Sequence, residues 1–377
     1  METPRERFWK VIHGEPTEHV PVWLLFPYAR YGSYVDVYDI EAYRPVCELI
    51  PSMAITLNRR NVPAPLHTPE VIRSSGEETL PDGRIRKWQT LEYKGRSLTS
   101  LHEFSPQGQT LKRKKLLSSD EDLEFYCSLP LETSRERIER HLQEWRVRYE
   151  RERESFPAEM GEMMLSTGEP IGDLEPYCEL DSYAVWSMTH ADLIQDFLHR
   201  AMERHRIIYE YCLAEDLAPV FFMVGSELAA PPMVRPEIFE RWIVPFAQEL
   251  IDRVRQRGKV VIQHFHGQIR DILDGFRRMH AHALHTIEEP PVGNCTLEYA
   301  REMLGGDVTL IGNIQYDELR SADCEQIRGR VVQLLERTRG WRFILSPTAG
   351  PFDPEPEANV IDNYVTILQT AYHWHER

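Results

Sequence analysis

Residues 259–268 read KVVIQHFHGQ. The run VVI, unbroken by polar alternation, has the pattern of a parallel strand covered on both faces. Gln263 leads it into His264, Phe265 and His266, and Gly267 then frees the backbone to turn toward a following helix. Side chains of a strand alternate faces, so residues at i and i+2 share one. His264 and His266 are therefore expected to converge on one point at the strand's C-terminal end. Two imidazoles so placed can ligate a metal, shuttle a proton or, once protonated, hold an anionic group. The competing reading is structural, a helix cap or a bond to a carbonyl. Function gains weight because polar residues recur at the ends of other expected strands.

Working outward, MMLST (163–167), VFFMVG (220–225), AHALHTIE (281–288), VTLIGN (308–313) and RFILSP (342–347) are each followed by a loop and a helix-patterned segment. Upstream, residues 4–13 pattern as a helix, VPVWLLF (20–26) as a first strand and AITLN (54–58) as a second. With about eight such strands the expected fold is α/β, a (β/α)8 TIM barrel, with a doubly wound open sheet as the runner-up. Between 77 and 115, Asp82-Gly83 and Lys94-Gly95 punctuate runs such as RIRKWQTLEY, the pattern of antiparallel hairpins. This is expected to be an excursion after the second strand, inside a single domain spanning 1–377. Residues 118–154 read as a helix whose stretch RERIERHLQEWRVRYERERE suits a solvated amphipathic face, and 236–258 as another. No GxGxxG follows a strand, which removes support for a dinucleotide site.

With 44 Lys and Arg against 60 Asp and Glu, the formal charge of −16 repels nucleic acid and anionic lipid and favours a small-molecule substrate or a protein partner. No apolar run approaches the length that spans a bilayer and the start lacks a signal-peptide core, so a cytoplasmic protein is expected. The six cysteines show no CxxC spacing and are expected to be buried free thiols rather than a disulfide framework.

In a barrel the C-terminal strand ends share one mouth. The residues expected there are Asn58, Thr167 with Glu169, Ser226 with Glu227, His264 with His266, Glu288 with Glu289, Asn313 and Ser346. Two histidines plus a carboxylate such as Glu227 or Glu288 would complete the three-ligand set of a catalytic zinc, and iron or manganese fits similarly. Without a metal the same groups can serve as general acid and base, with Glu169, Glu227 and Glu288 as the candidate catalytic carboxylates. Arg30, flanked by Tyr28, Tyr31 and Tyr34, either packs by cation–π contact or waits for a carboxylate or phosphate. Tyr31, Asn58 and Asn313 join it as candidate substrate-binding residues.

The chain resembles the uroporphyrinogen decarboxylase superfamily in RERFWKVIHGEPTEHVPVWL (5–24), ARY (29–31), RPEIFERWIVPF (235–246), IQHFHG (262–267), LIGNIQYDEL (310–319) and LSPTAGPFDPEPEANV (345–360). The resemblance implies a (β/α)8 barrel, a homodimer, and either decarboxylase or cobalamin-dependent methyltransferase chemistry. Departures from the family pattern separate these branches. The decarboxylases resemble PVWLMRQAGRY in the first loop, whereas PVWLLFPYARY keeps Arg30 and has Phe26 at the other arginine's position. Their aspartate after the second strand is missing from AITLNRR, where Asn58 lies nearby, and their late GHG is replaced at Ala349-Gly350. Losing those partners leaves porphyrinogen charges unpaired and disfavours that substrate.

The methyltransferase branch resembles HxCG at the fifth strand, with a later cysteine completing a zinc site. Here His264 holds the first position, His266 replaces the cysteine, and Ala349 stands at the late cysteine's place. The resemblance thus implies metal-ligand roles for His264 and, by substitution, His266, in a site less thiophilic than the family's. The expected activity is metal-dependent methyl transfer involving a corrinoid carried by a partner protein or a methylated small molecule. Its alternatives are a decarboxylase or related lyase acting on a smaller carboxylic acid, with Arg30 gripping the anion and the histidines donating protons, and a non-catalytic ligand-binding sensor.

Overall fold

The computed structural model describes residues 2–29, 31, 34–106, 110–224 and 226–374; Arg30 lies outside the described residues. After a first helix, Pro4–His13, the chain reaches β1, Thr56–Asn61. The next strands are β2 (Ile72–Thr79), β3 (Ile85–Tyr93), β4 (Arg96–Phe104) and β5 (Thr110–Lys114). Then come β6 (Gly161–Ser166), β7 (Val220–Met223), β8 (Val260–His264), β9 (Ala283–His285), β10 (Thr309–Ile314) and β11 (Phe343–Pro347). Seven of them form one parallel sheet in the order β1-β6-β7-β8-β9-β10-β11, each neighbour the next in sequence apart from the antiparallel excursion. Helices such as Ala191–Ala214 and Cys324–Arg337 join consecutive strands. The result is a curled, TIM-barrel-like α/β fold.

Alternation along the strands sorts their side chains into two cores. Ile55, Leu57, Met164, Phe222, Val260, Ile262 and Ile344 pack together with Trp23 and Leu25 inside the curl. Their neighbours Leu165, Phe221, Val261, Leu310 and Leu345 face the helical layer instead. His264 follows Val260 and Ile262 at intervals of two and therefore belongs to the inner face.

The expected first strand at 20–26 is not a regular strand. Val22 makes a single parallel bridge to Leu345. Trp23 N–H donates to the Leu345 carbonyl at 2.9 Å, Leu345 N–H to Pro21 at 2.9 Å, and Ile55 N–H to Val22 at 2.8 Å. Pro21 has no N–H to give and Leu25 takes a positive φ of 60°, so the ladder cannot extend in either direction.

Strands β2 to β5 form a separate antiparallel sheet in sequence order. It is mostly solvent-exposed and tied to the main core by Leu91 and Leu98. The helices expected at 118–154 and 236–258 are each divided in two, Asp120–Ser128 from Arg135–Ser155 and Pro236–Trp242 from Val244–Gln256. All six cysteines are free, and among the described residues no helix is long and apolar enough to cross a membrane.

Candidate active site

His264 and His266 meet as their spacing requires: the ring centroids are 4.6 Å apart and the planes perpendicular. His264 is buried, whereas His266 keeps 40% of its side chain exposed. The hydrogen bonds behind His264 fix its tautomer. His285 at the end of β9 brings Nε2 to 3.1 Å from the Pro347 carbonyl, which can only accept, so Nε2 carries the proton. Burial holds the His285 pKa down at about 3, so the ring is neutral and its Nδ1 accepts. The partner of that Nδ1, 2.7 Å away, is Nδ1 of His264, which must then be the donor. His264, also held neutral by burial and by the nearby cationic groups, is left with its lone pair on Nε2. Oε1 of Glu227 lies 3.6 Å from that nitrogen.

His266 is governed by Glu288. Its Nδ1 lies 3.1 Å from Glu288 Oε1, while Gly267 N–H donates to Oε2 at 2.6 Å. Burial opposes charge on the imidazole, but the Glu288 hydrogen bond and carboxylate outweigh it and raise the pKa of His266. Burial likewise works against ionised Glu288, and the same two hydrogen bonds overcome it and lower that pKa. Glu288 thus acts through His266, as a positioning residue.

Glu169 differs. It is buried beyond the end of β6 and accepts a 2.5 Å hydrogen bond from Ser226 Oγ. Burial pushes its pKa up to about 7, with Ser226 opposing and the charge of Glu227 adding. A carboxylic acid poised near neutrality therefore lies within the field of Glu227, the carboxylate beside the His264 lone pair, an arrangement suited to acid–base chemistry.

Two expected substrate-binding residues do not face this mouth. Asn58 lies between Leu57 and Arg59 and points outward, where its amide reaches Met163 Sδ at 3.4 Å and its oxygen accepts from Arg60 at 3.0 Å. Asn313 donates to the Ile287 carbonyl at 2.9 Å and lies 3.4 Å from Arg330 of the outer helix Cys324–Arg337. Both are structural. Tyr31 does line the mouth, its hydroxyl donating to Asn61 Oδ1 at 2.8 Å. Arg59, which polarity at strand ends did not single out, enters the interior beside the rings of Tyr31 and Phe222, its guanidinium carbon 4.6 and 4.7 Å from their centroids. Strand parity from Ile55 and Leu57 carries the signal for it. His285 was missed too, although it follows Ala283 on the inner face by the same parity.

Among the described residues no three His, Cys, Asp or Glu side chains gather in an arrangement that could hold a metal ion. Both Nδ1 atoms of the histidine pair are engaged with protein partners. As placed, the side chains do not fit the three-ligand set that the sequence suggests, and the chemistry below is derived from the residues alone.

The family model described as uroporphyrinogen decarboxylase (URO-D) matches residues 191–362. That span contains the HFHG turn, Glu227, His285 and Glu288. No curated protein matches the sequence. Among solved structures, a methyltransferase from Methanosarcina mazei superposes with a TM-score of 0.59 at 16% identity, covering 98% of this chain and 98% of that one. At that identity the likeness is one of fold.

Proposed function

Because residues 191–362 match the family model described as uroporphyrinogen decarboxylase (URO-D), we propose that the chain is an enzyme of that superfamily that transfers a methyl group to or from a small molecule. The observation that carries this reading is the lone pair of His264 Nε2, fixed by His285 and directed to the side where Glu227 lies. An acceptor X–H arriving there gives its proton to Nε2 while its heteroatom bonds to the methyl carbon. The donor's leaving group departs with the electron pair of the broken bond. Glu227 stabilises the imidazolium that forms, and Glu288 holds the His266 ring in place beside it. The donor in this reading is a corrinoid methyl carried by a partner protein or a methylated small molecule. The methyltransferase that shares the fold supports methyl transfer as the reaction class.

The test uses free methylcobalamin with a panel of small thiols, phenols and amines. Loss of the methylcobalamin absorbance should depend on the protein and on one acceptor class, and His264→Gln should slow it by about a hundredfold, the scale of a lost general base. If no acceptor supports the change, methyl transfer from a corrinoid is ruled out.

A second reading, decarboxylation of a small carboxylic acid, is favoured by Glu169. The bond to CO2 breaks, its electron pair stays on carbon, and a protonated carboxyl with a pKa near 7 is suited to deliver the proton that quenches the carbanion. CO2 release from simple 2-oxo and aryl acids, absent in Glu169→Gln, is the result that would prefer this reading to the first.

A further inference from the structure

The side chain of Arg59 stands in the mouth with part of its chemistry unspent. The rings of Tyr31 and Phe222 lie 4.6 and 4.7 Å from its guanidinium carbon, and Trp23, Leu57 and Met164 complete its apolar surroundings. Much of its edge is used, Nη2 donating to Ser166 Oγ at 3.1 Å and the hydroxyls of Tyr31 and Tyr34 also hydrogen-bonding to the guanidinium. Nε is buried without a hydrogen-bond partner. Among the described residues no carboxylate pairs with Arg59, although the next residue, Arg60, is paired with Glu152 at 2.5 Å. A cation walled by rings with an unsatisfied in-plane donor is costly unless a ligand completes it. The unpaired Nε lies on the planar edge of the guanidinium, the edge that matches a carboxylate fork.

We propose that Arg59 is the anion-binding residue of the mouth and that the substrate is a small molecule with a single carboxylate seated on the guanidinium edge. One negative charge is argued by the surroundings, since a single guanidinium offers one countercharge in a chain of net charge −16 and Glu227 lies at the neighbouring His264, where a dianion would be opposed. The body of the substrate then lies along Phe222, whose ring centroid is 5.4 Å from that of His264. A single ring therefore separates the anchored end from the proton acceptor, and the reacting group sits about one phenyl width from the carboxylate. This inference deepens the function proposed above and rests on it for the role of His264; the anchoring by Arg59 does not depend on which bond is broken.

Calorimetric titration of the full-length protein with benzoate, benzamide and inorganic phosphate tests it. Wild type should bind benzoate about tenfold to a hundredfold more tightly than benzamide, the range of one charge-assisted pair. Arg59→Gln should abolish that preference, Arg59→Lys should keep part of it, and Arg60→Gln should leave it unchanged. Equal binding of benzoate and benzamide by wild type, no binding of either, or a preference surviving in Arg59→Gln overturns the proposal. Phosphate binding more tightly than benzoate overturns the assignment of a monocarboxylate. The wild-type comparison needs no variant to fold. If the benzoate preference holds while the methyl-transfer and CO2 assays are silent, the reaction assignment fails and the Arg59 site stands.

Discussion

Glu169 turns the burial of one carboxyl into a measurable pH dependence. Its pKa is about 7 in the fold against an ordinary 4.5, so the folded state holds this proton more tightly than the unfolded chain does. The stability it contributes is fully present below about pH 4.5 and is lost as pH rises through about 7, an effect on the order of 3 kcal/mol. Glu169→Gln keeps the shape without the titration. Between pH 5 and pH 8 the melting temperature of wild type should fall more than that of the variant. A wild type that gains on the variant over that interval has the opposite linkage, and the assignment fails. At this scale the sequence was legible where parity was applied and misleading where polarity alone was used. The i and i+2 rule found His264 and His266, and the same rule from Leu57 reaches Arg59, whereas polarity near a strand end selected Asn58, which serves the outer layer. The role of His285 was not legible, because its meaning comes from Pro347, a partner 62 positions away.

Elements were readable where one local force decides them. Continuous apolar runs marked β6 to β11, and the first helix runs over the expected residues with a capping box between Thr3 and Glu6. Breaks inside the longer helices were less visible. Pro245 lacks the N–H that would carry one helix through Ile243, and Leu129 and Pro130 end another. The pairing of β1 with β6 also rests on a detail that periodicity hides. The register sets Thr56 opposite Gly161, and a Cβ built on Gly161 would stand 1.9 Å from the Thr56 carbonyl oxygen. Backbone cannot swing aside as a side-chain tip can. Gly161→Ala should therefore cost at least the roughly 1–3 kcal/mol of an overpacked site, read as a lower urea midpoint. The clash lies at the opening of β6, with Ser166 and Glu169 beyond its far end, so the folded fraction should keep the benzoate affinity of wild type. A midpoint equal to that of wild type would show that the two strands can separate freely at this end.

For the whole molecule, the question is whether the curled sheet is a ring or an open strip. Repeated strand and helix patterning made the parallel order legible; closure was not, since it depends on hydrogen bonds joining residues 21–23 to Ile55 on one side and, across more than three hundred positions of chain, to Leu345 on the other. Three amides report on it: Trp23, Ile55 and Leu345. If the segment at 21–23 completes a ring, freeing any of them requires opening the interior core, which holds Trp23 beside Ile55, Phe222 and Ile344. Their hydrogen exchange should then be as slow, within about tenfold, as that of Phe265, whose N–H donates to His285 at the heart of the sheet. Strand β5, exposed along its whole length, should exchange far faster and independently of them. Exchange of Trp23 at the rate of β5 would mean that the segment merely rests on an open edge. The mouth that brings Trp23, Arg59 and Phe222 together would then open without global unfolding, and the benzoate preference should weaken in parallel with the protection of that amide.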